Sequence, residues 1–170
     1  MSIVYRKLTS TDFDLWNRIR STALDAEPTS FARSNEDEEP TRKDVFNGNT
    51  DQEDCFILGA FSGDVLVGIA GLFRHKPIKV QHKSMIWSVF VLKEHRGKGI
   101  GRELMEQTIE FAKQIEGIEL ISIGVSAQNS TARGLYNRLG FVEYAIEPRS
   151  VKVNGEYCDE ALMWMDLTSS

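Results

Sequence analysis

The sequence predicts an α+β fold of the mixed α/β kind, with all strands in a single mixed sheet. Apolar runs typical of strands alternate along the chain with amphipathic helical patterns. A glycine-rich turn connects one of these strands to a long helix. The 170 residues, 41% of which are hydrophobic, are enough for one full core without a linker. We therefore expect one domain over residues 1–170.

The chain opens with a pattern typical of a strand followed by a helix. Residues 3–6 form a short strand-like run, and Ser10 or Thr11 can cap the helix that follows. The apolar residues of that helix recur at spacings of three and four, which places them on one face. They are Phe13, Trp16, Ile19, Ala23 and Leu24.

The next segment predicts a loop and then a hairpin. Residues 26–50 are polar and interrupted by two prolines, so we expect a loop with one or two short helices. The acidic run Glu36–Glu39 is typical of a solvated helix start, where the helix dipole favours carboxylates. Two apolar runs, 55–61 and 65–73, flank a Ser-Gly-Asp turn and predict a hairpin. A basic loop over residues 74–83 follows it.

The second half of the chain predicts four more strands and two helices. Residues 84–92 are rich in β-branched and aromatic residues and predict a buried strand. A long helix follows, with Gly117 as its expected stop. The buried stripe of that helix is Ile100, Leu104, Phe111, Ala112 and Ile115. After a strand at 118–125, a shorter helix carries Ala132, Leu135, Tyr136 and Leu139 on its apolar side. Residues 141–146 and 161–167 predict a closing pair of strands.

Composition limits the partners and the compartment that we expect. The formal net charge of −5 and the pI of about 5.3 disfavour nucleic acid or an anionic membrane as the main partner. The chain has no signal-peptide core and no apolar run near the roughly 20 residues that span a bilayer, so we expect a cytoplasmic protein. Cys55 and Cys158 are too few for a disulfide framework and lack metal-ligand spacing, so we expect packed or free thiols and no metal site.

The most informative segment is the turn between Trp87 and Leu104, where an apolar strand meets a helix. Its alternating glycines let the backbone approach a ligand closely and direct several N–H groups at it. Those N–H groups belong to the first helical turn, where unpaired donors and the helix dipole favour an anion. The segment therefore predicts a diphosphate site formed by Arg96, Gly97, Lys98, Gly99, Ile100, Gly101 and Arg102.

Residue spacing excludes two other kinds of glycine loop. A P-loop needs Ser or Thr after Gly-Lys, but Gly99 follows Lys98. The dinucleotide fingerprint needs a glycine at its sixth position, which Arg102 occupies. A plain tight connection between a strand and a helix stays open as the alternative to a ligand site.

The pattern R-x-x-G-x-G directly after V-F-V resembles the acetyl-CoA pyrophosphate loop of the GNAT superfamily of N-acetyltransferases. Residues 125–141 resemble the second cofactor motif of that family, in which an Asn after a strand, an Ala, and a Tyr ahead of L-G-F recur; here these are Asn129, Ala132 and Tyr136. The order of the predicted elements resembles the whole family fold. The resemblance implies a twisted, mostly antiparallel sheet of about seven strands, flanked by about four helices, whose splayed central strands hold acetyl-CoA.

The resemblance also implies roles for particular residues. The pantetheine arm of acetyl-CoA would bond to the strand backbone at Phe90 and Val91. The Val91 N–H would stabilise the negative charge that attack builds on the carbonyl oxygen. Tyr136 would donate a proton to the departing thiolate, whose pKa lies near the free cysteine value of about 8.5. The plain alternatives are a core role for Tyr136 and a helix-capping role for Asn129.

The resemblance leaves open which group removes the proton from the acceptor amine. A primary amine with a pKa near that of lysine, about 10.4, is mostly protonated at neutral pH and must lose a proton before it attacks. Some family members carry a Glu on the central strand, but residues 84–87 contain no carboxylate. Ser88 can hold a water, with His82 or Glu27 completing a relay. We expect water-mediated deprotonation and direct attack without an acetyl-enzyme, because neither Cys has a neighbouring His.

By the same resemblance, the acceptor pocket is built from residues 24–46 and 145–158. We expect Glu27, Phe31 and Trp87 to contact the acceptor, although a solvated acid and simple sheet packing are the plain alternatives. Asp25 can also bind a cation.

The sequence thus predicts an acetyl-CoA-dependent N-acetyltransferase for a small-molecule amine or amino acid, with a homodimer through the C-terminal strands as the family habit. One alternative is an enzyme that acetylates a protein N-terminus or lysine, which predicts an open groove around residues 27–31. The other is a non-catalytic acyl-CoA sensor, which needs the phosphate loop but not Tyr136.

Overall fold

The computed structural model describes residues 2–50 and 52–168, which form a seven-stranded sheet with helices on both faces. The strands are β1 (Ile3–Lys7), β2 (Cys55–Ser62), β3 (Val65–Arg74), β4 (Lys83–Val91), β5 (Leu120–Ser126), β6 (Val142–Val153) and β7 (Glu156–Asp166). Their order across the sheet is β1-β2-β3-β4-β5-β7-β6. β4 and β5 pair in parallel and the other neighbours pair antiparallel, which confirms the predicted mixed, mostly antiparallel sheet.

Three longer helices and two short ones cover the sheet in the described part of the chain. They are α1 (Phe13–Ala26), α2 (Asn35–Glu38), α3 (Arg42–Asn47), α4 (Ile100–Lys113) and α5 (Ser130–Arg138). A 3-10 turn, Pro28–Ser30, lies between α1 and α2. The polar segment after α1 therefore contains the two short helices that its sequence allows.

The hydrophobic core consists of two clusters, one on each face of the sheet. On one face, α4 and α5 pack on a cluster that includes Leu58, Ile86 and Ile121. On the other face, α1 and α3 pack on a cluster that includes Ile57 and Ile69. Successive strand residues point to opposite faces, so both surfaces of the central strands are apolar. We call these the α4 face and the α1 face.

The parallel pair β4 and β5 stays together for only three residue pairs in the described structure. Lys83 faces Leu120, and the last pair is Met85 with Ser122. Beyond it the two strands part, although each continues in the sheet through its other neighbour. The result is a gap in the middle of the sheet, as the family resemblance predicts.

A bulge in β4 lies beside this gap. The β3–β4 register shifts between Ile69 and Gly71, and Ser88 adopts a left-handed backbone with φ of 57°. Ile86 and Phe90, four residues apart, would share a face in a regular strand. They instead lie on the α4 face and the α1 face respectively. The extra residue thus changes which side chains β4 presents on each face.

Two predicted helix ends are wrong by a few residues. A 3-10 turn, Ser10–Asp12, precedes α1. In that turn the Thr9 N–H donates to the Asp12 carboxylate (2.8 Å), so neither Ser10 nor Thr11 is the cap. α4 ends at Lys113 instead of running to Gly117, because its last residues tighten into i to i+3 hydrogen bonds before the turn.

The closing hairpin is longer than its apolar pattern predicts. β6 and β7 extend through Val153 and from Glu156, joined by a tight Asn-Gly turn. β6 is an edge strand, and many of its side chains are exposed and polar. An edge strand needs no apolar alternation over its full length, so the sequence does not mark its end.

Candidate active site

A cavity of about 1190 Å³ occupies the gap between β4 and β5. It extends from the N-terminus of α4 to the turn between α1 and α2, and therefore reaches both faces of the sheet. Nearly all of the residues predicted from the sequence line it. These are Glu27, Phe31, Trp87, Ser88, Phe90, Val91, Arg96, Gly97, Gly99, Ile100, Gly101, Arg102, Asn129, Ala132 and Tyr136.

The glycine loop forms an open backbone cradle at one end of the cavity. Gly97 and Gly99 have φ of 75° and 81°, and a Cβ built on either one would meet nothing within 4 Å. Gly99 is the N-cap of α4, and the Glu103 N–H donates the first helical hydrogen bond to its carbonyl (3.0 Å). The three N–H groups before Glu103 therefore have no acceptor within the helix. The cradle fits the diphosphate that the sequence predicts.

The basic side chains of the loop have partners within the protein. Arg96 donates from Nε to the Val91 carbonyl (2.9 Å) and pairs through Nη1 with Glu27 (3.0 Å). Arg102 pairs with a glutamate one turn along α4 (2.8 Å). Lys98 is exposed, donates to the Glu94 carbonyl (3.1 Å), and is absent from the lining of the cavity. Lys98 is thus the one residue of the predicted anion site that does not line the cavity.

The backbone of Val91 points into the gap. The Leu92 N–H donates to the Val67 carbonyl on β3 (2.9 Å). N–H and C=O groups alternate sides along a strand, so those of Val91 point away from β3. Their direction agrees with the hydrogen bond from Arg96 to the Val91 carbonyl.

The second predicted motif forms the opposite wall of the gap. Asn129 caps α5 by accepting a hydrogen bond from the Ala132 N–H (3.0 Å), and both residues line the cavity. Tyr136 is 5% exposed and packs on Phe141, with 6.0 Å between the ring centroids. Burial raises the pKa of Tyr136 above its ordinary value of 10.0, so its hydroxyl keeps its proton across the neutral range. Among the described residues no hydrogen bond reaches that hydroxyl, and it is free to donate.

A buried ion pair supports the α1 face of the cavity. Arg20 donates to both oxygens of Glu38 (3.0 and 2.5 Å) and to Ser88 Oγ (3.0 Å). Its guanidinium carbon lies 4.9 Å from the centre of the Phe31 ring and 5.7 Å from that of Trp87. Ser88 is therefore held by a side-chain donor at the point where its backbone is left-handed.

This pair was not predicted from the sequence, and the acidic run is not solvated throughout. Glu38 is 2% exposed, so one member of the run predicted as a solvated helix start is buried. Arg20 is the sequence feature from which this buried pair could have been predicted. It lies among the apolar positions of α1, next to Ile19, where a charged side chain requires a buried partner.

Other predicted residues lie outside the cavity. His82 stands at the start of the β4–β5 pairing, where its carbonyl accepts from the Glu119 N–H (2.8 Å), and it does not line the cavity. Asp25 accepts from Asn35 (2.7 Å) instead of facing a ligand. No residue of the predicted acceptor segment 145–158 lines the cavity; the contribution from this end of the chain is Glu160.

The residues that the structure describes contain no group of three or more His, Cys, Asp or Glu side chains arranged to hold a metal ion. Among the same residues, no helix has the length and apolar character to cross a membrane.

We predict that Glu38→Gln destabilises the protein, because it leaves the buried guanidinium of Arg20 without its counter-charge. We expect the free energy of unfolding to fall by about 3–5 kcal/mol, as measured by urea denaturation. Glu36→Gln, on the exposed side of the same short helix, is the matched control and should change it by less than about 0.5 kcal/mol. Equal effects of the two changes would contradict the buried ion pair.

The chain matches the Acetyltransferase (GNAT) family over residues 16–141. Among its relatives, the spermidine N(1)-acetyltransferase of Vibrio cholerae serotype O1 is 28% identical over 60% of this chain and 59% of that protein. The L-amino acid N-acyltransferase MnaT of Escherichia coli K12 is 34% identical over 56% of this chain and 50% of that protein. This chain thus spans little more than half the length of these two relatives.

Solved structures share the fold over nearly the whole chain. A putative acetyltransferase of Salmonella typhimurium, yncA, solved with acetyl-CoA, has a TM-score of 0.87 and 20% identity, covering 100% of this chain and 96% of that one. A ribosomal-protein-alanine N-acetyltransferase of Brucella melitensis has a TM-score of 0.80 and 27% identity, covering 96% and 99%. The family match over most of the chain, together with the splayed strands and the two motifs on either side of the gap, shows that this protein belongs to the GNAT family of acetyltransferases.

Proposed function

We propose that this protein is an acetyl-CoA-dependent N-acetyltransferase whose acceptor is the primary amine of a small molecule. The observation that carries the proposal is a cavity that runs through the sheet, with a backbone anion cradle at one end and a covered pocket at the other. The 3-10 turn Pro28–Ser30 packs against β5 and β6 and covers the pocket on the α1 face. The ion pair between Glu27 and Arg96 ties this turn to the glycine loop.

The chain offers places for the diphosphate and for the pantetheine arm of acetyl-CoA. The backbone of Gly97, Gly99 and Gly101 would hold the diphosphate, and Asn129 and Ala132 border the gap that would take the pantetheine arm. Phe90 and Val91 lie on the opposite wall of that gap. When bound, acetyl-CoA supplies the acetyl group as a thioester. The complex of yncA with acetyl-CoA, which has the same fold, supports this placement.

Two groups of the chain are suited to the transfer itself. The Val91 N–H, directed into the gap, can stabilise the negative charge that develops on a carbonyl oxygen under attack. The protonated Tyr136 hydroxyl can donate to the sulfur as it leaves. Neither buried thiol, Cys55 or Cys158, lines the cavity, which supports direct transfer to the amine without an acetyl-enzyme.

The covered pocket favours a small acceptor over a protein. Residues 29–31 line the pocket, and the 3-10 turn that packs over it leaves less room for a polypeptide than an open groove would. Relatives that act on small amines include the spermidine and L-amino acid enzymes, and a relative named for protein acetylation is the N-alpha-acetyltransferase RimI of Mycobacterium tuberculosis, 28% identical over 69% of this chain. A purely acyl-CoA-sensing role would not require a protonated tyrosine at the gap.

Assembly and location stay predictions. Val142, Tyr144 and Ile146 on the edge strand β6 are 58%, 61% and 43% exposed, which supports a homodimer through the C-terminal strands. The cytoplasmic location rests on the sequence alone.

The first test is acetyl-CoA binding by calorimetry, followed by thiol release with a panel of polyamines, amino acids, aminoglycosides and short peptides. We expect acetyl-CoA to bind and one class of small amine to release thiol. Thiol release with peptides alone would replace the small-molecule acceptor with a protein one. Binding without any release would favour the sensor, and no binding would overturn the proposed function.

Gly101→Leu should weaken acetyl-CoA binding without unfolding the protein. A Cβ at Gly101 meets only Val91 Cγ2, at an ordinary 3.7 Å, so a larger side chain would project into the cavity. Leucine is a good helix former. We expect the Kd for acetyl-CoA to rise at least about tenfold. Glu110→Leu, exposed on the same helix, should leave the Kd unchanged; an equal Kd for both variants would remove the diphosphate assignment.

Tyr136→Phe should lower kcat about 100-fold and leave the Kd for acetyl-CoA within about twofold, because only the donated proton is lost. Tyr144→Phe on β6, outside the cavity, is the matched control and should behave as the wild type. Unchanged turnover in Tyr136→Phe would show that water or another group protonates the leaving sulfur.

A further inference from the structure

Glu160 lies on the central strand of the closing part of the sheet, between β5 and β6. Its neighbours in the register are Ser126 on β5 and Glu147 on β6. Residues directly opposite each other in antiparallel strands point to the same face. Ser122 lies four residues before Ser126 on β5 and therefore points to the same face. Its partner Met85, in the last β4–β5 pair, lies on this face too, which is the α1 face. Glu160 therefore points to the face where the covered pocket lies, and it lines the cavity there.

The Glu160 side chain packs against β5 at a glycine, Gly124. A methyl group built on Gly124 would collide with the Glu160 carboxylate. The carboxylate thus occupies the space that any other residue at position 124 would fill. This arrangement brings an acidic side chain to the edge of the gap between β4 and β5.

The surroundings of Glu160 suit a proton acceptor. Ser150 Oγ donates to one of its oxygens (3.3 Å), and among the described residues no cation pairs with it. Burial, and secondarily the charge of Glu147, raises the pKa of Glu160 above its ordinary value of 4.5. The other charged groups that line the α1 side of the cavity are Arg20, Glu27, Arg33 and Glu38.

The remaining carboxylates of the pocket are already engaged. Glu38 accepts two hydrogen bonds from the buried Arg20, and Glu27 pairs with Arg96. Each of these two carboxylates therefore has a guanidinium as its partner. Glu160 therefore differs from both in having a hydroxyl as its partner.

We infer that Glu160 binds the acceptor as an ammonium ion and accepts its proton, which makes it the base of the reaction. The inference deepens the proposed function and rests on it. It replaces the expected water-mediated deprotonation with a residue of the chain, and it restricts acceptors to amines that enter as cations.

The proton step balances without a further reactant. One N–H bond of the ammonium ion breaks, its electron pair stays on nitrogen, and the proton passes to a carboxylate oxygen of Glu160. The neutral amine then attacks, and the second N–H proton, lost as the amide forms, replaces through solvent the proton that Tyr136 gives to the sulfur. Glu160 releases its own proton to solvent. A carboxylate near an ammonium ion also orients the nitrogen before the transfer.

Glu160→Gln tests the inference, with Glu147→Gln as the matched control because it removes an equal charge from the residue directly opposite. Using the most active amine of the panel, we expect kcat/KM at pH 7 to fall about 100-fold in Glu160→Gln and less than about threefold in Glu147→Gln. The wild type should lose kcat/KM as the pH falls through the raised pKa of Glu160. Glu160→Gln should instead gain about tenfold per pH unit through the neutral range, as the free amine fraction grows.

A readout independent of turnover is calorimetric titration of the CoA-bound protein with the same amine. We expect about tenfold weaker amine binding in Glu160→Gln and unchanged binding in Glu147→Gln, with equal CoA affinity in both. Gly124→Ala provides a second route, because it displaces the flexible end of Glu160 while keeping the carboxylate. It should reproduce the loss of amine binding without loss of CoA binding.

The outcomes separate this inference from the proposed function. If the wild type turns over and Glu160→Gln has the same rate, pH profile and amine affinity, the role of Glu160 is overturned. The proposed acetyltransferase activity then stands. A wild type that binds no acetyl-CoA would overturn both.

Discussion

The short parallel contact between β4 and β5 is the constraint on which the rest of the site depends. The two strands pair as far as Met85 and Ser122 and then part, although each stays anchored by an antiparallel neighbour. Parting exposes strand backbone inside the protein, where an unpaired N–H or C=O is costly unless a ligand or side chain satisfies it. Arg96 satisfies the Val91 carbonyl, and the adjoining N–H remains for a substrate. A gap of this kind is therefore stable as part of a binding site.

The gap also requires support from the α1 face, because a strand with a left-handed residue at Ser88 is not held by sheet hydrogen bonds alone. Arg20 and Glu38 provide that support from two successive helices, α1 and α2. Burying this ion pair costs free energy of desolvation, so the pair fixes the geometry of the site more than it increases the net stability of the fold. Phe31 and Trp87 enclose the same guanidinium, so the acceptor pocket and the bulge share one set of contacts.

The sequence predicted the sheet and the cofactor side well because both depend on local patterns. Alternating apolar residues mark the strands, and glycine spacing marks the cradle around Gly99. Charge alone does not determine where a flexible side chain points, and the Lys98 ammonium group donates to the Glu94 carbonyl. Glu38 and Glu160 were missed for a different reason. Each takes its role from a partner distant in sequence, Arg20 for one and Gly124 for the other, and no periodicity connects such pairs.

The family match ends at residue 141, whereas Glu160 follows it on β7. The groups proposed to meet the cofactor come from one continuous stretch, from Phe90 to Tyr136, and those proposed to meet the acceptor come from the flanking chain on either side. In this proposal, donor and acceptor recognition belong to separable parts of the chain. The terminal hairpin can diversify while the stretch between these two residues stays intact, so relatives with one cofactor could acquire new acceptors through changes outside the segment by which the family is recognised.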